Sequence, residues 1–277
     1  MGRSAGIFIR SLKAALQASA SIRGVCGHKV ILMPRLVVLT GAGISAESGI
    51  KTFRDGNGLW ENHRVEDVAT PQAWARDPET VLRFYNERRD QVRKAEPNPA
   101  HLALAELERD IRVSVITQNI DDLHERAGSS DVLHLHGELL NARSSRDPRL
   151  VYRLAEGQGI AMGDCGEDGA QLRPDVVWFG ESVPRYVTAC DIVAEADLLL
   201  IVGTSLAVTP ASMLIDEAPI EAPRVLVDPG AQALAVNGVV PVTAAATKGV
   251  RHLCDLWRHH GRLVRPDPVD LSDAPRF

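Results

Sequence analysis

The side chains able to do chemistry are concentrated in a few short stretches of this 277-residue chain. The run Thr40-Gly-Ala-Gly-Ile-Ser-Ala-Glu-Ser-Gly-Ile-Lys-Thr-Phe-Arg-Asp55 follows the apolar segment Leu36-Val-Val-Leu39, as a glycine turn follows a strand. Gly41 and Gly43 lack Cβ atoms, so the backbone can take positive φ and approach a ligand, and a helix begun over residues 44–48 would turn its free N–H groups toward an anion. Ordinary tight turns share this pattern, so alone it leaves phosphate or dinucleotide binding open. Thr117-Gln-Asn-Ile-Asp121 ends a second apolar run and sets amide and carboxylate groups where open α/β sheets bind ligands; it reads equally as a polar turn capping a helix over residues 122–127.

His134-Leu-His136-Gly137 carries two imidazoles that a strand would point to one face, which raises metal binding. A catalytic zinc site needs a third protein ligand and none is close in sequence, so one histidine serving as general base fits better. Arg173-Pro-Asp-Val-Val-Trp-Phe-Gly-Glu181 reads as a strand, either plain core or an edge that pairs with an extended peptide. Gly203-Thr-Ser205 closes the most hydrophobic strand with small hydrogen-bonding groups.

These stretches must be positioned by the elements around them. The runs at 36–39, 113–116, 198–202 and 225–227 are short and rich in β-branched residues, and are expected to be buried parallel strands. Helical patterns lie between them, such as 100–108 opened by Asn98-Pro99, so the expected architecture is an α/β, doubly wound parallel (Rossmann-like) sheet with a smaller inserted lobe. Two segments break the alternation. One is a helical insertion over about 56–96, in which Asp77-Pro78 starts a convincing helix. The other is a polar, glycine-rich, loop-rich stretch over about 141–172, which Leu150, Val151, Tyr152, Leu154 and Ile160 would have to hold by packing. Pro266, Pro268 and Pro275 argue against a closing helix, and the tail is expected to fray.

With 45% hydrophobic residues the chain can bury a substantial core. No apolar run approaches the roughly 20 residues needed to cross a bilayer, and a net charge of −5 gives no global reason to expect nucleic acid. Residues 1–46 contain no Asp or Glu, so residues 1–32 read as an N-terminal extension: a transit segment or, preferably, sequence upstream of a start at Met33. The domain proper would then cover residues 33–277. Cys26, Cys165, Cys190 and Cys254 form no Cys-x-x-Cys pair, which suits reduced thiols in a cytoplasmic protein and makes a structural zinc unexpected.

Six segments in order resemble the sirtuin family of NAD-dependent protein deacylases: Gly41-Ala-Gly-Ile-Ser45, Ser48-Gly-Ile-Lys-Thr-Phe-Arg54, Thr117-Gln-Asn-Ile-Asp121, His134-Leu-His-Gly137, Val177-Trp-Phe-Gly180 and Gly203-Thr-Ser205. The resemblance runs from Leu36 to about Leu256. It implies that Gly41, Ala42, Gly43, Ile44, Phe53, Arg54 and Trp60 line an NAD site, and that Gln118, Asn119, Ile120 and Asp121 hold its nicotinamide side, with Asn119 counted with the catalytic groups. It further implies that Gly203, Thr204, Ser205, Asp228 and Ala246 meet the phosphates and adenosine, that His136 is the base, and that Val177, Trp178, Phe179 and Gly180 pair with an acyl-lysine peptide. The implied reaction transfers the acyl group to ADP-ribose, with release of nicotinamide and free lysine.

The chain departs from the family pattern at Lys51, where many members have Pro, and at Asp228, where an Asn is frequent. It also departs in the counterpart of the zinc module, where Cys165 is the single cysteine, so no zinc is expected. Tyr85-Asn-Glu-Arg88 resembles the Tyr-x-x-Arg pair of the branch that removes succinyl, malonyl or glutaryl groups, and the small Ala69 matches the position that widens its acyl pocket. Helical spacing puts Val81, Tyr85, Arg88 and Val92 on one face; without the resemblance, Arg88 would read as a snorkelling side chain. Two other classes stay in view: a nicotinamide-dependent dehydrogenase, which lacks the acidic residue ending a next strand, and a non-catalytic NAD or ADP-ribose sensor.

Overall fold

The structure is a computed structural model that describes residues 33–51, the backbone of 59–60, residues 63–234 and residues 236–272. The expected N-terminal extension, residues 1–32, lies outside the described residues. In chain order the first half comprises β1 (Arg35–Thr40), the single helical turn α1 (Ala42–Ser45), the hairpin β2 (Leu59–Trp60) and β3 (His63–Arg64), α2 (Val65–Val68), α3 (Pro71–Arg76), α4 (Pro78–Lys94), α5 (Pro99–Leu107), β4 (Arg112–Thr117), α6 (Leu123–Ala127) and β5 (Val132–His134). The second half comprises β6 (Gly137–Ser144), β7 (Val151–Arg153), β8 (Leu172–Val176), α7 (Tyr186–Val193), β9 (Leu198–Val202), β10 (Arg224–Asp228), α8 (Ala231–Leu234), β11 (Val239–Thr243), α9 (Ala246–His260) and β12 (Val269–Asp270).

Seven strands form a parallel sheet in the order β12-β11-β10-β9-β1-β4-β5. Its central strands are continuous apolar runs because both faces are covered: Leu36 and Val38 pack toward α5 and α9, whereas Val37 and Leu39 pack toward α7 and α8. The strand order reverses between β1 and β9, and at such a reversal the loops leaving the strand ends part and open a crevice. The 36–39, 113–116, 198–202 and 225–227 runs are all strands of this sheet. As far as residue 272 the tail corrects the expectation of fraying: β12 pairs with β11 as an edge strand, and Trp257 Nε1 donates to the Val264 carbonyl at 2.9 Å, whereas Pro275 lies outside the described residues.

The smaller lobe is built on an antiparallel sheet of order β7-β6-β8, so the stretch expected to be loop-rich is framed by strands. Helix α4 starts as expected, with Asp77 Oδ1 accepting from the Thr80 N–H at 3.0 Å, and buries Val81, Tyr85, Arg88 and Val92 together. On another side of α4, the Asn86 amide exchanges two hydrogen bonds with the Ile160 backbone, both 3.0 Å, and Arg89 Nε donates to the Leu139 carbonyl at 2.9 Å. Leu82, Ala142, Leu154 and Ile160 share the lobe's apolar core, whereas Val151, expected inside, is exposed. No helix among the described residues is long and apolar enough to cross a membrane.

Candidate functional site

A cavity of about 590 Å³ opens where β1 and β9 end and runs between the sheet and the smaller lobe. Its size is that of an ordinary ligand pocket. One wall is the turn after β1, locked to β9: Gly41 N donates to the Val202 carbonyl at 3.0 Å and Gly43 N to the Gly203 carbonyl at 2.8 Å. The glycines act here differently from the sequence expectation. Neither takes positive φ; their value is close approach, since a Cβ on Gly43 would lie 2.6 Å from Gly203 Cα. The N–H groups of Gly41 and Gly43 are thus spent on β9 rather than on an anion.

A buried polar cluster stands beside this turn. Asn119 Nδ2 donates to the Gly41 carbonyl (3.2 Å) and to Ser45 Oγ (3.0 Å), and Ser45 Oγ donates to Asp121 Oδ2 (3.1 Å). Burial pushes the Asp121 carboxyl above its ordinary range, opposed by the Leu123 N–H and the Ser45 hydroxyl. Gln118 N donates to the Thr40 carbonyl, and Gln118 Nε2 reaches Thr204 Oγ1 at 3.3 Å, tying the ends of β4, β1 and β9 together.

The two histidines do not share a face, because β5 ends at His134 and a turn carries the chain into β6. His134 is a clamp. Its Nδ1 donates to the Asn119 carbonyl (3.1 Å) and its Nε2 meets Glu125 Oε1 at 2.7 Å. Burial alone would depress its pKa, but the Glu125 carboxylate outweighs that and holds it above the ordinary value. With both ring nitrogens engaged, His134 has no lone pair for a metal. His136 lines the cavity, and its Nδ1 lies 2.9 Å from the Gln118 carbonyl. Burial lowers its pKa, partly countered by that carbonyl, so the ring is neutral with the lone pair on Nε2. Gly137 next to it has φ +81°, and a Cβ there would sit 2.1 Å from the Asp175 carbonyl, so only glycine lets β8 pass this closely.

Ala69 and three residues of α4, Tyr85, Arg88 and Val92, also line the cavity. Arg88 is 5% exposed, so it does not snorkel to water; its guanidinium donates to Gln91 Oε1 at 3.2 Å. Tyr85 is fully buried, its Oη accepts from Trp178 Nε1 at 3.0 Å, and burial pushes its phenol well above the ordinary tyrosine range. The segment expected to run as a strand through Glu181 leaves β8 at Val176. Val177, Trp178, Phe179 and Gly180 all line the cavity, with the Val177 N–H bonded to the His136 carbonyl, the Phe179 N–H to the Ala69 carbonyl and the Trp178 N–H to Glu181 Oε2. The Val177, Trp178 and Phe179 N–H groups are thus engaged within the chain, as is the Trp178 carbonyl, which accepts from the Glu181 N–H at 3.0 Å.

Of the other residues singled out in the sequence, Ala42, Ile120, Ser205, Asp228 and Ala246 line the same cavity, and Asp228 Oδ1 accepts from the Gly230 N–H at 2.8 Å. Ile44 is not a lining residue; it is buried with Leu36 and Val38 under the turn. Phe53, Arg54 and the Trp60 side chain lie outside the described residues. Ser45 and Glu181 also line the cavity and were not singled out. Ser45 had its place in the glycine motif and Glu181 closed the stretch begun by Arg173, but an extended strand would hold Arg173 and Glu181 apart, and their pairing, like that with Arg143, is met only in three dimensions. Among the described residues no three His, Cys, Asp or Glu side chains gather as a metal site.

Residues 41–210 match the model of the Sir2 family. The NAD-dependent protein deacylase of Helicobacter pylori is 56% identical over 200 residues, covering 72% of this chain and 86% of that protein. The NAD-dependent protein deacylase of Bacteroides thetaiotaomicron is 54% identical over 201 residues, covering 71% and 86%. A solved complex of a Sir2 homologue with NAD superposes with a TM-score of 0.74 at 39% identity, covering 83% of this chain and 91% of that one.

Proposed function

Because this chain belongs to the Sir2 family, we propose that it is an NAD-dependent protein-lysine deacylase that removes short dicarboxylic acyl groups, succinyl and malonyl above acetyl. The observation that carries the acyl preference is the buried pair Tyr85 and Arg88 in the cavity wall. An acyl chain ending in a carboxylate would receive charge-assisted hydrogen bonds from both, each contributing about 1.5–3 kcal/mol, whereas acetyl would bury the guanidinium without that partner. Ala69 leaves room for the longer chain.

The residues present fit NAD. The Gly203–Ser205 turn, Asp228, Ala246, the Asn119–Asp121 cluster and His136 all line one cavity, so a carboxylate and hydroxyls can meet ribose hydroxyls and the buried amide and carboxyl a carboxamide. When bound, NAD supplies the electrophilic ribose carbon that accepts the acyl oxygen as nicotinamide leaves. Asn119 is rigid, held by Gly41 and Ser45, and orients the cluster. His136, neutral and proton-free at Nε2, takes the proton of a ribose hydroxyl. The carbonyls of Val177, Phe179 and Gly180 hold the peptide, the Trp178 carbonyl being bonded to the Glu181 N–H, so partner recognition is through backbone. The described cysteines, Cys165, Cys190 and Cys254, are free thiols, which supports a cytoplasmic setting.

Incubating the protein with NAD and a panel of acyl-lysine peptides, with nicotinamide release measured, tests this. Release should require an acyl peptide and be fastest with succinyl and malonyl. Binding of NAD without release on any peptide would point to a sensor instead, and reduction of the cofactor to a dehydrogenase.

A further inference from the structure

Trp178 reaches Tyr85 across 93 residues of sequence, and its indole is unusually well gripped. The ring is 2% exposed, the Arg173 guanidinium carbon sits 3.3 Å above its centroid, and Trp74 packs at 5.8 Å between centroids. Arg173 is itself fixed, donating to both Glu181 oxygens at 2.8 and 3.1 Å and to the Val176 carbonyl at 3.0 Å. Glu181 in turn accepts the Trp178 backbone N–H at 2.8 Å, so backbone and ring of the tryptophan are tied to one arginine–glutamate pair.

An indole nitrogen only donates. Its N–H therefore takes up an acceptor site on Tyr85 Oη and directs the phenol's own proton to another sector of the oxygen. Burial keeps that proton on the phenol. With Arg88 one helical turn away and lining the same cavity, a donor is what a terminal carboxylate requires.

We propose that Trp178, clamped by Arg173 and Glu181, is a positioning residue for acyl specificity: its indole N–H orients the Tyr85 hydroxyl as a donor to the terminal carboxylate of the acyl group. This rests on the acyl preference proposed above. The carboxylate end is remote from the bond that breaks, so the effect belongs in KM for the dicarboxylic substrate rather than in kcat.

The test compares succinyl-lysine and acetyl-lysine peptides on the wild type, Trp178→Phe, Tyr85→Phe, the double variant and Arg88→Met. Phenylalanine keeps an aromatic ring beneath Arg173 and removes the N–H together with part of the indole's buried volume, a packing loss that both substrates would feel alike. Trp178→Phe should lower the succinyl-to-acetyl ratio of kcat/KM about three- to tenfold, through KM, and should add nothing to that ratio in the Tyr85→Phe background. Equal losses on both substrates, or an undiminished effect without the tyrosine hydroxyl, would overturn the proposal while Arg88→Met still collapses the ratio. If Arg88→Met leaves the ratio unchanged, the acyl preference falls and this role with it. Should Trp178→Phe not fold, Arg173→Lys loosens the clamp from outside the cavity and should lower the same ratio; no change there would count against the proposal.

Discussion

The Nδ1 atom of His136 lies 2.9 Å from the carbonyl oxygen of Gln118, and since a carbonyl can only accept, the imidazole carries its proton there and presents Nε2 bare to the cavity. A base must be neutral to act, and burial depresses this one below its ordinary value of 6.5. Activity should therefore stay level as pH falls through neutrality and decline only below 6.5, through the depressed pKa. A pH–rate profile with its acid limb centred above that value would contradict the assignment. Replacing His136 with Asn should cost about 10²–10⁴-fold in turnover.

Arg88→Met removes the charge and keeps most of the stem. With about 1.5–3 kcal/mol at stake, kcat/KM on succinyl-lysine should fall roughly ten- to hundredfold, and on acetyl-lysine much less. Steady-state kinetics on the two peptides decide it: equal losses would mean that Arg88 supports the fold rather than the substrate.

Gly43→Ala should impair cofactor binding without touching a catalytic group. The new Cβ would lie 2.6 Å from Gly203 Cα and 2.8 Å from its carbonyl oxygen, backbone against backbone, where no side chain can swing aside. Overpacking of this kind costs about 1–3 kcal/mol and pushes the turn off β9. Calorimetry should record weaker NAD binding while circular dichroism stays near wild type; unchanged affinity would mean the turn can shift freely.

The lobe between β6 and β8 should be indifferent to chelators. Asp168 organises it, accepting from Ser144 Oγ at 2.6 Å and from the Ala170 N–H at 3.0 Å, while Tyr152 Oη accepts from the Glu167 N–H at 2.9 Å. Exhaustive chelation should leave melting temperature and activity in place, whereas Asp168→Ala should lower the melting temperature. One tightly held zinc per chain by elemental analysis would reverse this expectation.

The legible parts of the sequence were those in which local and global demands coincide. Strands β1, β4, β9 and β10 are covered on both faces, so each appears as an unbroken apolar run, and the caps Asp77 and Asn98 act within their own first turns. Strands β5 and β12 were missed because each is short, and β11 because Pro241 interrupts its apolar run: it is the neighbouring strand that makes them strands.

The chemistry divides in the same way. The amino-acid sequence alone marked many of the side chains that border the cavity, since the glycine turn, the Gln118–Asp121 amides and the Tyr85–Arg88 spacing each arise within a few residues of chain; Ile44, buried under the turn, and Glu181 were the exceptions. Only the tertiary structure decided what each does. His134 and His136 are two residues apart and chemically identical, yet Glu125 holds the pKa of one above the ordinary value while burial takes the other below it. Trp178 found Tyr85, and Glu181 found Arg143 and Arg173, across chain separations over which no spacing rule reaches. The reason is physical: hydrogen bonding and desolvation act over a few ångströms of space, and which groups come within that range is settled by packing.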